Sequence, residues 1–152
     1  MRAHPRWTRA LFSDGDLEAI AATVAQAERH TSGEIRVHLE RRLPRATDAL
    51  TRAAQVFIRL KMDATAERNG VLLYLAVENR ALAIVGDRGV HAQVGDEYWQ
   101  RVRDAMVGRL RAGASREALV QAVADVGLVL QKFFPRRPDD TNELSDEVSL
   151  GG

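Results

Sequence analysis

The apolar positions along the chain change period several times, and each change marks an element. Leu17, Ile20 and Val24 recur at helical spacing behind "FSDGDL", where Ser13 can cap, Asp16 faces back from the third position and Phe12 staples onto Leu17. This predicts a helix, with Gly33 in "RHTSGEI" as its stop. From Glu34 to Glu40 the period falls to two: Ile35, Val37 and Leu39 point one way, and Glu34, Arg36, His38 and Glu40 the other. That alternation predicts a strand with one wet face.

Pro44 and Thr47 open a second helical stretch in which Leu50, Ala53, Ala54, Phe57, Ile58 and Lys61 follow the 3.6 period, before "ERNG" ends it. "VLLYLAV", Val71 to Val77, is unbroken apolar sequence of strand length, as expected of a central strand covered on both faces. "ENR" is a tight turn, so "ALAIVG" returns antiparallel as its hairpin partner. Two further helices carry Trp99, Val102, Met106 and Leu110, then Leu119, Ala122, Val123, Val126, Leu130 and Phe133, and Pro135 closes the unit.

The order α-β-α-β-β-α-α predicts an α/β sandwich around a small mixed sheet with Val71–Val77 as a central strand. Residues 1–12 form an N-terminal arm, 13–134 the domain, and 135–152 a polar, acidic tail. A right-handed parallel crossover between the first two strands brings their starts, near Glu34 and Asn69, to the end of the sheet where the third strand finishes at Asp87. A helix start near Gly95, Asp96 and Glu97 is expected at that same end.

Composition narrows the function classes. Twenty-two Lys and Arg balance 21 Asp and Glu, a formal net charge of +1, so no general field draws the protein to nucleic acid. Without cysteine there are no disulfides, thiolate metal sites or cysteine nucleophiles. The arginines of "MRAHPRWTRALFSDG" have no apolar segment behind them, and the longest apolar run, Val71–Val77, is far below the roughly 20 residues of a membrane span. The expectation is a soluble, cytoplasmic protein with no membrane insertion and no nucleic acid partner.

The polar sheet end is the candidate for chemistry. Glu34 and Asp87 supply carboxylate oxygens and Asn69 an amide oxygen, the hard donors that calcium and magnesium prefer. Arg88, Asp96 and Glu97 stand beside them as binding candidates. A second reading has Glu34 and Asp87 in plain ion pairs with Arg68 or Arg88, each worth about 0–1 kcal/mol if exposed. The four histidines lack paired ligand spacing, no G-x-S-x-G elbow is present, and "GDRGVHAQVG" has neither the glycine order nor the lysine of a phosphate loop.

"TSGEIRVHLE", "RNGVLLYLAVENRALAIVGDRGVHAQVGDEYW" and "FFP…DDTNELSDEV" together resemble the TPM domain family, over Phe12 to Val148. The resemblance implies an α/β sandwich with a mixed sheet, divalent-cation binding as in some members, acid phosphatase activity as in a plant member, and accessory roles as in others. Asn142 and Glu143 belong to the resembling tail motif and offer backbone or cation contacts. Two functional classes follow: a regulatory or interaction module, with an unidentified protein partner, that holds calcium or magnesium, and a metal-dependent phosphatase-like hydrolase.

Overall fold

Ser13 Oγ accepts from the Asp16 N–H at 3.0 Å while Asp16 Oδ2 accepts from the Ser13 N–H at 2.9 Å, the capping box that begins helix α1 (Asp14–Glu28). A computed structural model describes residues 4–136 and 148–152. After α1 come β1 (Glu34–Glu40), α2 (Ala49–Arg59), β2 (Gly70–Ala76), β3 (Ala81–Gly86), α3 (Arg88–Arg111), α4 (Ser115–Phe133) and β4 (Ser149–Gly151). Short 3₁₀ turns at Arg6–Ala10 and Met62–Ala64 complete the set.

The sheet order is β3-β2-β1-β4, with β1 parallel to β2 and β4, and β2 antiparallel to β3. β2 therefore lies between β1 and β3 and is buried along its whole length, as its unbroken apolar run predicts. Glu34 pairs with Gly70 and Val71 with Gly86, so the starts of β1 and β2 and the finish of β3 share one end of the sheet.

Helices cover both faces. Ile35, Val37, Leu39, Val71, Leu73 and Leu75 form one core with the apolar faces of α1, α3 and α4, each large buried side chain contributing about 2 kcal/mol. On the opposite face Leu72, Tyr74, Ala76 and Ala83 pack against Ala53, Val56 and Phe57 of α2. Phe12 and Thr8 are buried and Trp7 packs on the first core, so the N-terminal arm lies against the domain. No described helix is long and apolar enough to cross a membrane.

Four local expectations are corrected or refined. The polar face of β1 is not wet: Glu34, His38 and Glu40 are buried, with Arg52 of α2 on Glu40 and Ser149 of the neighbouring β4 on His38. The buried stripe of α2 is Ala53, Val56 and Phe57, while Leu50 and Ile58 face outward, 62% and 59% exposed. A helical segment does start after Gly95 (φ 76°, ψ 175°), as expected, but another that begins at Arg88 with Asp87 as N-cap runs into it, so Gly95 is the kink inside α3. Finally, α1 ends at Glu28, before Gly33, and Ser149–Gly151 of the tail adds an edge strand that its polar composition concealed.

Candidate functional site

The sequence "GDRG" folds as it does because Asp87 has two tasks. Its Oδ1 accepts from the Arg88 N–H at 2.8 Å and its main-chain oxygen from the N–H groups of Val90 and His91, which caps α3. Its carboxylate also takes a forked pair of bonds from Arg68, Nε to Oδ2 at 2.7 Å and a terminal guanidinium nitrogen to Oδ1 at 2.9 Å. Arg68 reaches it from a left-handed backbone conformation, φ 52°. Gly89 completes the unit: its N–H donates to the Arg68 main-chain oxygen at 2.9 Å, and a Cβ there would lie 2.4 Å from Glu67 O and 2.6 Å from Arg68 O.

Behind this pair lies a buried polar layer. Asn69 is 1% exposed, its Nδ2 donating to Ser32 Oγ at 3.3 Å and Glu67 Oε2 at 3.2 Å, while Ser32 Oγ donates to the same Glu67 oxygen at 2.7 Å. The Asn69 side-chain oxygen is buried and accepts no hydrogen bond among the described residues. The Glu34 N–H donates to Asn69 O at 3.3 Å, and Glu28, buried at the end of α1, accepts from the Ile35 N–H at 2.7 Å.

Glu34, Asn69 and Asp87 thus meet at one sheet end, as strand order predicts. Arg88 is the exposed first residue of α3. Asp96 and Glu97 lie past the Gly95 break, on the exposed surface of α3, where Asp96 is 3.6 Å from the His91 ring. Asn142 and Glu143 lie outside the described residues. No group of three or more histidines and carboxylates among the described residues is arranged to hold a metal ion, and both Asp87 oxygens are committed to Arg68.

A second polar cluster, which local patterning did not announce, lies under α2. Arg52 clamps Glu40 with two bonds of 2.8 Å, and the Tyr74 hydroxyl donates to Glu40 Oε1 at 2.7 Å. Burial alone would raise the Glu40 carboxyl, but the bonds from Arg52 and Tyr74 hold it below its ordinary value. Burial, and then the bond to Glu40, pushes the Tyr74 phenol up, so it remains a proton donor. His38 stacks on Tyr74, ring centroids 6.1 Å apart, with Nδ1 2.8 Å from Ser149 Oγ of β4. Burial lowers the imidazole to about 4; Glu40 opposes that shift, and Arg59, Arg52 and Arg36 add to it.

The domain model for the TPM domain matches residues 8–129. The chain belongs to the TPM domain family. Its solved relatives include the BA42 protein of the psychrophilic bacterium Bizionia argentinensis, 39% identical over 92% of this chain and 95% of that one, with a TM-score of 0.83. The N-terminal domain of a Porphyromonas gingivalis protein is 22% identical, with a TM-score of 0.62 over 80% of this chain and 78% of that one. The N-terminal domain of the cg2496 protein from Corynebacterium glutamicum is 18% identical, with a TM-score of 0.61 over 86% of each chain. At those two identities the likeness speaks to the fold alone. No curated protein matches this TPM domain.

Proposed function

We propose that this TPM domain is a binding module whose sheet end takes a divalent cation, calcium or magnesium, in exchange for the Arg68 ion pair. The observation that carries this reading is the Asn69 side-chain oxygen, buried, without a hydrogen-bond donor among the described residues, and set in the layer that also holds Glu67 and Ser32. An amide oxygen of this kind is a donor that hard cations accept, and leaving it bare costs about 1–3 kcal/mol. Asp87 is the second donor and Glu34, at the start of β1, the third. The cation must displace Arg68 to reach Asp87, which couples binding to release of a guanidinium at the protein surface. That exchange is the regulatory element of the reading: the ion changes which charged group the end of the sheet presents to a partner.

The test is a titration of the full chain with calcium and with magnesium, followed by thermal unfolding and amide NMR. A cation at a hundredfold excess over its Kd raises stability by about 2.7 kcal/mol. The melting temperature of wild type rises, the amide signals of Glu34, Asn69 and Asp87 move, and Asp87→Asn loses most of the rise. If neither ion changes the melting temperature, or Asp87→Asn keeps the full rise, the sheet end is structural and the reading fails.

A further inference from the structure

The free edge of the sheet, along β3, carries a different site. β3 is an edge strand among the described residues. Its groups can be assigned from register: the Asp87 N–H donates to Gly70 O, and in an antiparallel ladder the bonded pairs alternate. Ala81, Ala83 and Val85 therefore turn their N–H and C=O groups toward β2. Leu82, Ile84 and Gly86 turn theirs away from it. These outward groups open into a groove of about 860 Å³, floored by β3 and walled by the start of α2 on one side and the middle of α3 on the other.

Each wall adds apolar surface. Leu50, 62% exposed, and Ala54 stand on α2, one helical turn apart. Opposite them Trp99 packs so closely on Gly86 that a Cβ there would run into the indole, and its Nε1 donates to His91 Nδ1 at 3.1 Å. Gly86, lacking a Cβ, leaves room for the indole at the end of β3, where it forms part of the wall.

The charge around the groove is predominantly negative. Asp48 and Asp96 line it, and a hollow that continues from it along α3 adds Glu97 and Asp104. Against these four carboxylates stand two guanidiniums, Arg101 and Arg103, an excess of negative charge on a chain whose formal net charge is +1. Asp96 is 98% exposed, so its charge faces an incoming ligand.

We infer that this groove is a strand-addition site for an extended, basic peptide segment of a partner protein. Main-chain hydrogen bonds to Leu82, Ile84 and Gly86 supply the affinity, alternate apolar side chains rest on Leu50 and Trp99, and lysines or arginines between them meet the acidic rim. Six-residue β3 offers roughly 20 Å of edge. The acidic residues 137–147, with five carboxylates and one arginine, have the wrong sign to fill it.

The probe is a blocked hexapeptide of alternating lysine and valine, with the glutamate–valine hexapeptide as control, titrated into the isotopically labelled full chain. The lysine peptide shifts the amide signals of 81–86 and the Trp99 indole signal, and the glutamate peptide binds at least tenfold more weakly. Ala54→Arg, which fills the groove from an exposed helix position, and the surface pair Asp96→Lys with Asp104→Lys each weaken the lysine peptide at least tenfold while leaving the amide spectrum of the fold in place. The inference is overturned if the lysine peptide moves no signal in 81–86, if both peptides bind alike, or if the variants bind as wild type does. It is equally overturned if the 81–86 signals shift with protein concentration alone, which would make the groove a contact between copies.

Discussion

Arg68 grips both carboxylate oxygens of Asp87 at 2.7 and 2.9 Å, across a separation of 19 residues in the chain. The pair joins the loop before β2 to the first turn of α3, and Gly89 lets that loop rest directly on the helix start. An acid and, two residues on, a glycine follow β3 because the helix needs a cap and the neighbouring loop needs contact. The same grip is the obstacle that a cation at this end must remove.

Arg68→Ala therefore sharpens the cation reading. With the competing guanidinium gone, calcium or magnesium reaches Asp87 without an exchange, and the apparent Kd falls by about tenfold, or about 1.4 kcal/mol. The apo variant melts below wild type, and the ion-dependent rise at a fixed concentration is larger. Calorimetric titration of both proteins decides it: an unchanged or weaker Kd in the variant means that Arg68 and the ion do not compete.

Turnover of a generic phosphomonoester separates the module from the hydrolase. A binding module gives no hydrolysis above the uncatalysed rate with or without magnesium, and Asp87→Ala leaves that background unchanged. Metal-dependent release of phosphate that disappears in folded Asp87→Ala protein would assign the site to phosphoryl transfer instead.

The cluster under α2 has a stability signature. Tyr74→Phe removes one hydrogen bond to the Glu40 carboxylate and costs about 2 kcal/mol. Arg52→Met leaves that buried carboxylate without its forked partner and costs more, about 3 kcal/mol. Urea unfolding at neutral pH measures both. A Tyr74→Phe cost equal to or above that of Arg52→Met would mean that the phenol, not the guanidinium, compensates Glu40.

His38 gives the domain an acid-sensitive seam. Its imidazole is lowered to about 4 in the fold, against 6.5 for the free side chain, so the unfolded chain binds a proton that the folded one refuses. The contribution is absent above pH 6.5, grows as the pH falls from there, and levels off below about 4. Glu40, held below its ordinary value, loses stability in the same direction at the lower end of this range. The melting temperature therefore falls between pH 6.5 and 4.5, and His38→Gln flattens that slope. An equal slope in the variant would place the titrating group elsewhere.

The sequence by itself determined what neighbouring residues decide. Ser13 and Asp16 cap α1 through a three-residue spacing, Val71–Val77 reads as a covered strand because no polar residue interrupts it, and the turn after Val77 returns the chain as a hairpin. The meeting of Glu34, Asn69 and Asp87 also followed, since strand direction and crossover hand fix which ends coincide. Period alone could not separate Leu50 and Ile58 from Val56 on α2, because a shift of one residue still leaves an apolar stripe, and only packing on β2 chose between them.

What the tertiary structure decided was the partner of each polar side chain. His38 and Glu40 alternate with apolar neighbours as a wet face would, yet Arg52, 12 residues on, and Ser149, 111 residues from His38, cover them. Patterning records that a side chain is polar; it does not record whether water or another residue satisfies it. A buried carboxylate and a solvated one leave the same mark in the sequence, and the difference arises only when α2 and β4 bring donors from distant parts of the chain.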